Sequence, residues 1–306
     1  MVRIAVIGSL NMDLVIRAPR IPKPGETVLG ADNLLMIPGG KGANQAYASA
    51  RLGAEVAMIG RVGGDTFGEQ MINSLKKAGV DTQHIIHETD ASTGVALIVV
   101  EEGGQNSIVV SSGANSRITP SDISQAEAVI RSANLILLQL EIPLPAVVKA
   151  AQCARHHGVK VILNPAPAQH LPTELLSLTD ILIPNETETA ILSGYDVGTE
   201  DEIRHAASGL RQSGIKTIIM TQGCRGALLI TENGIEHFPA IPVKPVDTTA
   251  AGDAFVGSFA VALAEGRSLR EAVRHGNAAG ALTSTKQGAQ PSIPSRDDLD
   301  KMLKTM

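Results

Sequence analysis

Short apolar runs alternate with helix-length segments along this chain, and that alternation limits its fold more than any other feature. Arg3–Gly8, Val56–Arg61, Leu135–Leu140, Val159–Leu163, Ile181–Pro184 and Lys216–Thr221 are apolar almost throughout rather than at every second residue. A strand with one wet face alternates, whereas a continuous apolar run marks a strand covered on both faces. Helical segments fall between these runs, at Thr66–Ala78, Pro145–His157, from Glu186 onward and at Asp201–Gln212. Three more close the chain, at Ala251–Glu265, Leu269–Thr285 and Arg296–Lys304. Ala227–Thr231 pairs with Gly234–Phe238. The pattern predicts an α/β fold with a three-layer, mostly parallel sheet. With 306 residues, 43% of them hydrophobic, the chain can bury a sizeable core.

Two segments lack the rhythm. Leu14–Pro38 is rich in Pro and Gly, with short extended pieces around Pro22-Lys-Pro-Gly25. Gly94–Val100 and Ser107–Val110 read as a hairpin around Glu101-Glu-Gly-Gly-Gln105. Together they suggest a small β-sheet lid, residues 14–38 and 94–111, inserted into an α/β domain of residues 1–13, 39–93 and 112–306. Two ordinary surface loops are the competing reading, and apolar alternation in Val95–Val100 and Ile108–Val110 favours a sheet with one covered face.

Composition excludes several classes. The net charge of −5, with no basic stripe, speaks against nucleic acid and anionic membranes as partners. No apolar run is long enough to span a bilayer. Aromatics are 2% with no Trp, so a sugar site here would rest on hydrogen bonds rather than stacking. Cys153 and Cys224 stand far apart without metal spacing, as suits a reducing cytoplasm. The eight histidines show no metal set, and His156-His157 reads as a wet helix face. The N-terminus runs straight into an apolar strand, with no signal peptide expected.

The segment with most chemistry is Asp247-Thr-Thr-Ala-Ala-Gly-Asp-Ala-Phe-Val-Gly257. It places Asp253 directly after the small-residue turn Ala250-Ala251-Gly252, at the start of an apolar helix. Free N–H groups at a helix start bind anions, and small residues let a ligand approach them. An anion hole beside a carboxylate is what phosphoryl transfer to an alcohol requires. For an Asp alone, an N-cap is the commoner role.

Other segments carry weaker signals. Gly39-Gly40-Lys41-Gly42-Ala43-Asn44-Gln45-Ala46 is neither a Walker A loop nor a dinucleotide fingerprint, yet glycines opening a helix let backbone approach a ligand. Asn11 and Asp13 follow the first strand, where open α/β sheets place ligands, although Asp as a turn former is the commoner reading of this pair alone. A carboxylate can accept from two vicinal hydroxyls. Glu141 ends another strand. Asn185-Glu-Thr-Glu188 reads equally as a capping box or as oxygen donors for Mg²⁺. Thr221-Gln-Gly-Cys-Arg-Gly226 suits a nucleotide passing over backbone, or a plain hairpin turn.

Four motifs in order, Asn11-Met-Asp13, Gly39-Gly-Lys-Gly-Ala-Asn44, Asn185-Glu-Thr-Glu188 and Asp247-Thr-Thr-Ala-Ala-Gly-Asp253, resemble the ribokinase (PfkB) family of carbohydrate kinases along the whole chain. Asn164-Pro-Ala-Pro167 and Lys286-Gln-Gly-Ala-Gln-Pro-Ser292 add to the likeness. The resemblance implies an α/β domain whose β lid closes over a sugar and forms a homodimer contact. It implies that Asn11, Asp13, Gly40, Lys41, Gly42, Asn44 and Glu141 bind a pentose, D-ribose, and that Asp253 is the base facing the primary hydroxyl. Ala250, Ala251 and Gly252 would form the anion hole. Asn185, Thr221, Gly223, Gly226 and Gly252 would contact ATP, with Asn277 by the adenine and Glu188 near Mg²⁺ through water. A K⁺ ion would take the side chains of Asp247 and Ser292 and the carbonyls of Thr249, Thr283, Lys286 and Gly288.

The implied reaction is ATP-dependent phosphorylation of D-ribose at the 5-hydroxyl. The helix dipole and free N–H groups should hold the Asp253 pKa down. A loose transition state that releases the proton late tolerates so weak a base. Within the family, 2-deoxyribokinase, fructokinase, nucleoside kinase and phosphosugar kinase compete. Outside it stand a non-catalytic sugar-binding relative and, further off, a nicotinamide oxidoreductase.

Overall fold

The computed structural model describes residues 1–103 and 105–305. The turn expected around Glu101–Gln105 thus includes one position, Gly104, that lies outside the described residues. The chain opens with β1 (Arg3–Ile7), β2 (Asn11–Ala18), β3 (Leu35–Gly39), α1 (Lys41–Arg51), β4 (Glu55–Gly63), α2 (Thr66–Lys77) and β5 (Asp81–Glu88). β6 (Gly94–Glu101), β7 (Asn106–Ser111), α3 (Pro120–Gln125), α4 (Glu127–Ser132), β8 (Leu135–Leu138), α5 (Leu144–His156) and β9 (Lys160–Leu163) follow. Then come α6 (Thr173–Leu178), β10 (Ile181–Leu182), α7 (Glu186–Ser193), α8 (Glu200–Gln212) and β11 (Thr217–Thr221). The chain ends with β12 (Ala227–Thr231), β13 (Gly234–Phe238), α9 (Ala251–Ala264), α10 (Leu269–Ser284) and α11 (Arg296–Lys304).

The main sheet has nine strands in the order β13-β12-β11-β10-β9-β8-β1-β4-β5. From β11 to β5 every pairing is parallel, and only β12 and β13 run antiparallel at one edge. Alternate residues of β1 face two separate cores. Ile4 and Val6 pack with α1, α2, α9 and α10, and Ala5 and Ile7 pack with α3, α5, α6 and α8. That two-sided burial is why the strands read as continuous apolar runs. The strand order reverses beside β1. The chain first builds toward β5 and then returns to β8 and builds the other way. Open parallel sheets bind ligands at the carboxyl ends of the strands flanking such a reversal.

The second sheet has four strands, β3-β2-β6-β7, with β2 and β6 parallel and the outer pairs antiparallel. Its strands come from both irregular segments, but not from the expected extended pieces near Pro22, which form a turn. β2 starts at Asn11, so the boundary anticipated at residue 13 falls inside a strand of the small sheet. Cover is partial in the single chain: β2 and β6 are buried at their first residues, whereas every residue of β7 is exposed. β5, α3, α4 and α6 are additional to the predicted elements. β5 is a half-exposed edge strand with little apolar signal, and the three helices have six residues each, too few for a helical period to emerge.

α9 is buried at every residue from Asp253 to Ala262 because it lies between α1 and α10. Gly257 makes the fit possible: a Cβ there would stand 2.7 Å from Ala48 Cβ on α1. This close approach brings the first turn of α9, and with it Asp253, against the first turn of α1. No helix among the described residues is long and apolar enough to cross a membrane.

Candidate active site

The candidate site residues gather around the strand-order reversal. Ser9 follows β1 and Glu141 lies just beyond β8, so neighbouring strands deliver both to one place. Glu141 Oε2 accepts from the Ser9 hydroxyl and, at 3.0 Å, from the Lys41 N–H. The glycines of the α1 motif permit this packing. Gly40 has φ +84°, and a Cβ there would lie 2.6 Å from Asn11 N. A Cβ on Gly42 would lie 2.6 Å from Ser9 N. Side chains at either place would push the start of α1 off the β1–β2 connection.

Asn11 and Asp13, two apart on β2, point to the same face of the small sheet. Asn115 fixes Asn11: its Nδ2 donates to Asn11 Oδ1 at 2.8 Å and to Leu10 O at 3.0 Å, while its Oδ1 accepts from Leu10 N. The Asn11 amide is thus oriented, and among the described residues its NH₂ has no acceptor. Asp13 is buried, and among the described residues nothing donates a hydrogen bond to its carboxylate. Burial, then the charges of Glu141 and Asp253, push its pKa up to about 7, with Lys41 opposing. Burial disfavours the charge on Lys41, but Asp253, Glu141, Glu188 and Asp13 together outweigh it and raise the ammonium pKa.

Two side-chain amides hold the Asp253 carboxylate. Asn44 Nδ2 donates to Oδ2 at 2.9 Å and Gln45 Nε2 donates to Oδ1 at 3.1 Å. Gln45 also donates to Asn164 Oδ1 at 3.1 Å and accepts from Gln139 Nε2 at 2.6 Å. Asn164 in turn donates to Ile183 O. The expected downward pKa shift is corrected here. Burial dominates and raises the Asp253 pKa, although Lys41, Asn44 and Gln45 all pull it down. The helix-start position is real, but the carboxylate lies deep between two helices, where desolvation outweighs local dipoles. Asn44 Oδ1 is buried without a partner.

At the start of α9, Ala250 adopts φ +60° as the N-cap. Ala251 N donates to Thr248 O at 3.2 Å, so this group of the expected anion hole is already engaged. Among the described residues, the N–H groups of Ala250, Gly252 and Asp253 have no partner in the protein.

Asn185 and Glu188 form a capping box at α7: Asn185 N donates to Glu188 Oε2 and Glu188 N to Asn185 Oδ1, both at 2.8 Å. Glu188 keeps its second oxygen free, and burial raises its pKa. Thr221 ends β11 beside Asn185, to which it is bridged. Gly223 opens a 3-10 turn, and Gly226 ends it at the start of β12. Asn277 Nδ2 is committed to Phe238 O at 3.2 Å and Pro239 O at 3.3 Å, leaving only its oxygen for a ligand.

Asp247 ties two loops together. Oδ1 accepts from Thr249 N at 2.9 Å and Oδ2 from Gly288 N at 2.8 Å. Burial works to raise its pKa, but these donors win and lower it. Ser292 and Thr283 are fully buried nearby in the sequence of contacts: Ser292 Oγ donates to Ala289 O, Lys286 N donates to Thr283 O, and Thr283 Oγ1 has no partner.

Sequence reasoning assigned no role to Ser9, Gln45, Asn115, Gln139 or Asn164. Gln45 and Asn164 lie inside quoted motifs, so their amides were available as a signal. Ser9, Asn115 and Gln139 belong to no motif and become part of the site only by tertiary contact.

The family model for pfkB family carbohydrate kinases matches residues 1–296. The chain is 47% identical to a ribokinase of Haemophilus influenzae over 300 residues, 98% of each chain. It is 40% identical to a deoxyribokinase of Salmonella typhi, covering 98% of both. The structure of Arabidopsis thaliana ribokinase complexed with ribose and ATP superposes with a TM-score of 0.92 at 35% identity, over 99% of both chains. With polar side chains gathered at the sheet reversal, a helix-start carboxylate and a family match over residues 1–296, the chain belongs to the pfkB family of carbohydrate kinases.

Proposed function

We propose that this protein transfers the γ-phosphoryl group of ATP to the 5-hydroxyl of D-ribose, giving ribose 5-phosphate and ADP. The observation that carries the reading is the setting of Asp253, a buried carboxylate steered by Asn44 and Gln45 beside unpaired N–H groups at the start of α9. The full-length relatives named for ribose phosphorylation support the substrate.

Asp253 orients the hydroxyl and collects its proton. Its raised pKa makes it a stronger base than an ordinary carboxylate. The N–H groups of Ala250, Gly252 and Asp253 stabilise the charge on the transferring phosphoryl group. Asp13 accepts from a vicinal pair of sugar hydroxyls, and the Asn11 NH₂ and Lys41 donate to the same sugar. Gly40, Gly42 and Glu141 shape that subsite, and the unpartnered Asn44 Oδ1 can accept from a hydroxyl. Asn185, Thr221, Gly223 and Gly226 line the nucleotide path, with the Asn277 oxygen toward the base.

Mg²⁺ would neutralise the ATP phosphates, held through water by the free oxygen of Glu188, a hard donor of suitable type. K⁺ would take Asp247 and Ser292 side chains and the carbonyls of Thr249, Thr283, Lys286 and Gly288. The fit rests on the ionised Asp247 and on the buried, unpartnered Thr283 Oγ1 among oxygen donors.

The small sheet serves as a lid that excludes water. Met36, Leu14, Leu97 and Val109 lie in register across its four strands, and three of them are exposed large hydrophobics, at 54%, 52% and 64% for Met36, Leu97 and Val109. Such a stripe supports a homodimer through the lid. The two unpaired cysteines support a reducing cytoplasm.

A second reading, a deoxyribose kinase, is favoured by the deoxyribokinase relative. Asn11 separates the two. If its NH₂ donates to the 2-hydroxyl, a 2-deoxy sugar leaves it unpaired at a cost of about 1–3 kcal/mol. ADP release should be measured with ribose, 2-deoxyribose, fructose, adenosine and fructose 6-phosphate. A kcat/KM for ribose at least about 5-fold above 2-deoxyribose supports the reading. Equal values for the two would overturn the Asn11 assignment, and turnover confined to another sugar would overturn the substrate.

A further inference from the structure

Away from the cleft, three side chains of ligand type converge where α4 meets the end of α5. Glu127 is the first residue of α4, Cys153 lies in the last turn of α5, and His157 caps α5. Neither the cysteine nor the histidine spacing shows a metal set in the sequence. The four-residue separation of Cys153 and His157 puts them on one helix face, and tertiary packing supplies the carboxylate. The Glu127 oxygen, Cys153 sulfur and His157 nitrogen all lie within 4.8 Å of one another, and His157 Nε2 is 2.7 Å from Glu127 Oε1.

We propose that Glu127, Cys153 and His157 form a binding site for a borderline-soft divalent cation of the Zn²⁺ type, pinning α4 to α5. The ligand set is one thiolate, one imidazole and one carboxylate, which Zn²⁺ accepts and Mg²⁺ does not. Zn–S bonds of about 2.3 Å and Zn–N bonds of about 2.0 Å give S···N edges of roughly 3.5 Å around a tetrahedron. Side-chain rotations of about an ångström reach that geometry from the observed spread. Cys153 is buried, while the side chains of His157 and Glu127 are 17% and 50% exposed, so the fourth position opens outward to water. The site lies at the C-terminal end of α5, where the carbonyl dipoles favour a cation. A surface ion pair accounts for His157 and Glu127 and core packing for the burial of Cys153, but neither requires the three ligand atoms to converge. Binding releases the Cys153 proton to solvent and leaves a thiolate on the metal.

Co²⁺ is the probe, because thiolate ligation gives a charge-transfer band that the oxygen donors of the cleft cannot produce. The titration belongs in a Cys224→Ser background, which removes the other thiol. One equivalent of Co²⁺ should raise the band, one equivalent of Zn²⁺ should abolish it, and Cys153→Ser should lack it. His157→Ala, a change at the partly exposed end of α5 and outside the apolar core, should weaken Co²⁺ binding at least tenfold. Absence of the band in Cys224→Ser, its persistence in Cys153→Ser, or unchanged affinity in His157→Ala would reduce the cluster to an ion pair beside a buried thiol and overturn the proposal.

Discussion

Replacing Asp13 by Asn should make the sugar-free protein more stable while crippling sugar binding. Asp13 is 8% exposed and receives no hydrogen bond from the described residues, and its pKa stands at about 7 against an ordinary 3.8. The folded state therefore holds this proton more tightly than the unfolded state. Stability contributed by that proton is fully present below the unfolded pKa and is lost as pH rises from about 4 through about 7. Above that window the folded chain bears the whole penalty of a buried, repelled carboxylate. Roughly three pKa units correspond to about 4 kcal/mol, a ceiling because Glu141 and Asp253 share the repulsion. Asn carries no charge and occupies the same volume. Urea denaturation of both proteins without ligand should show Asp13→Asn more stable by a few kcal/mol at pH 8, with the gap closing toward pH 5. The same variant loses a charged acceptor for sugar hydroxyls, worth about 1.5–3 kcal/mol, so sugar affinity should drop by roughly 10- to 150-fold. A variant no more stable than wild type at pH 8, or a gap independent of pH, would refute the reasoning.

Asp253→Asn should keep the fold, because the unpartnered Asn44 Oδ1 can turn to face the new NH₂. Turnover should fall by about 10²–10⁴-fold with sugar affinity nearly intact, and a near-native kcat would reject Asp253 as the base. Gly40→Ala forces a Cβ to 2.6 Å from Asn11 N at φ +84°. It should cost at least about 1–3 kcal/mol in denaturant and raise the sugar KM, and an unchanged melting temperature would show that the β1–β2 connection yields more easily than its packing suggests.

The sequence alone settled the layers and singled out the segment on which the proposed chemistry rests. Continuous apolar strands declare two covered faces wherever they occur, and the α9 motif joins small residues, a carboxylate and an apolar helix within eleven adjacent positions. Local patterns of this kind need no partner to be legible. β5, α3, α4 and α6 escaped because an edge strand and six-residue helices have too little periodic signal. The electrostatics of the cleft lay beyond the sequence for a different reason. A helix-start Asp looks acidic until α1 and α10 bury it, and desolvation then reverses the sign of its shift. Asp13 and Glu141 repel each other only because β1 and β8 are neighbours. Gln139 reaches Asp253 through Gln45, which lies 94 residues away in sequence. Charge burial and long-range hydrogen bonds depend on which distant segments meet, and only the tertiary structure decides that.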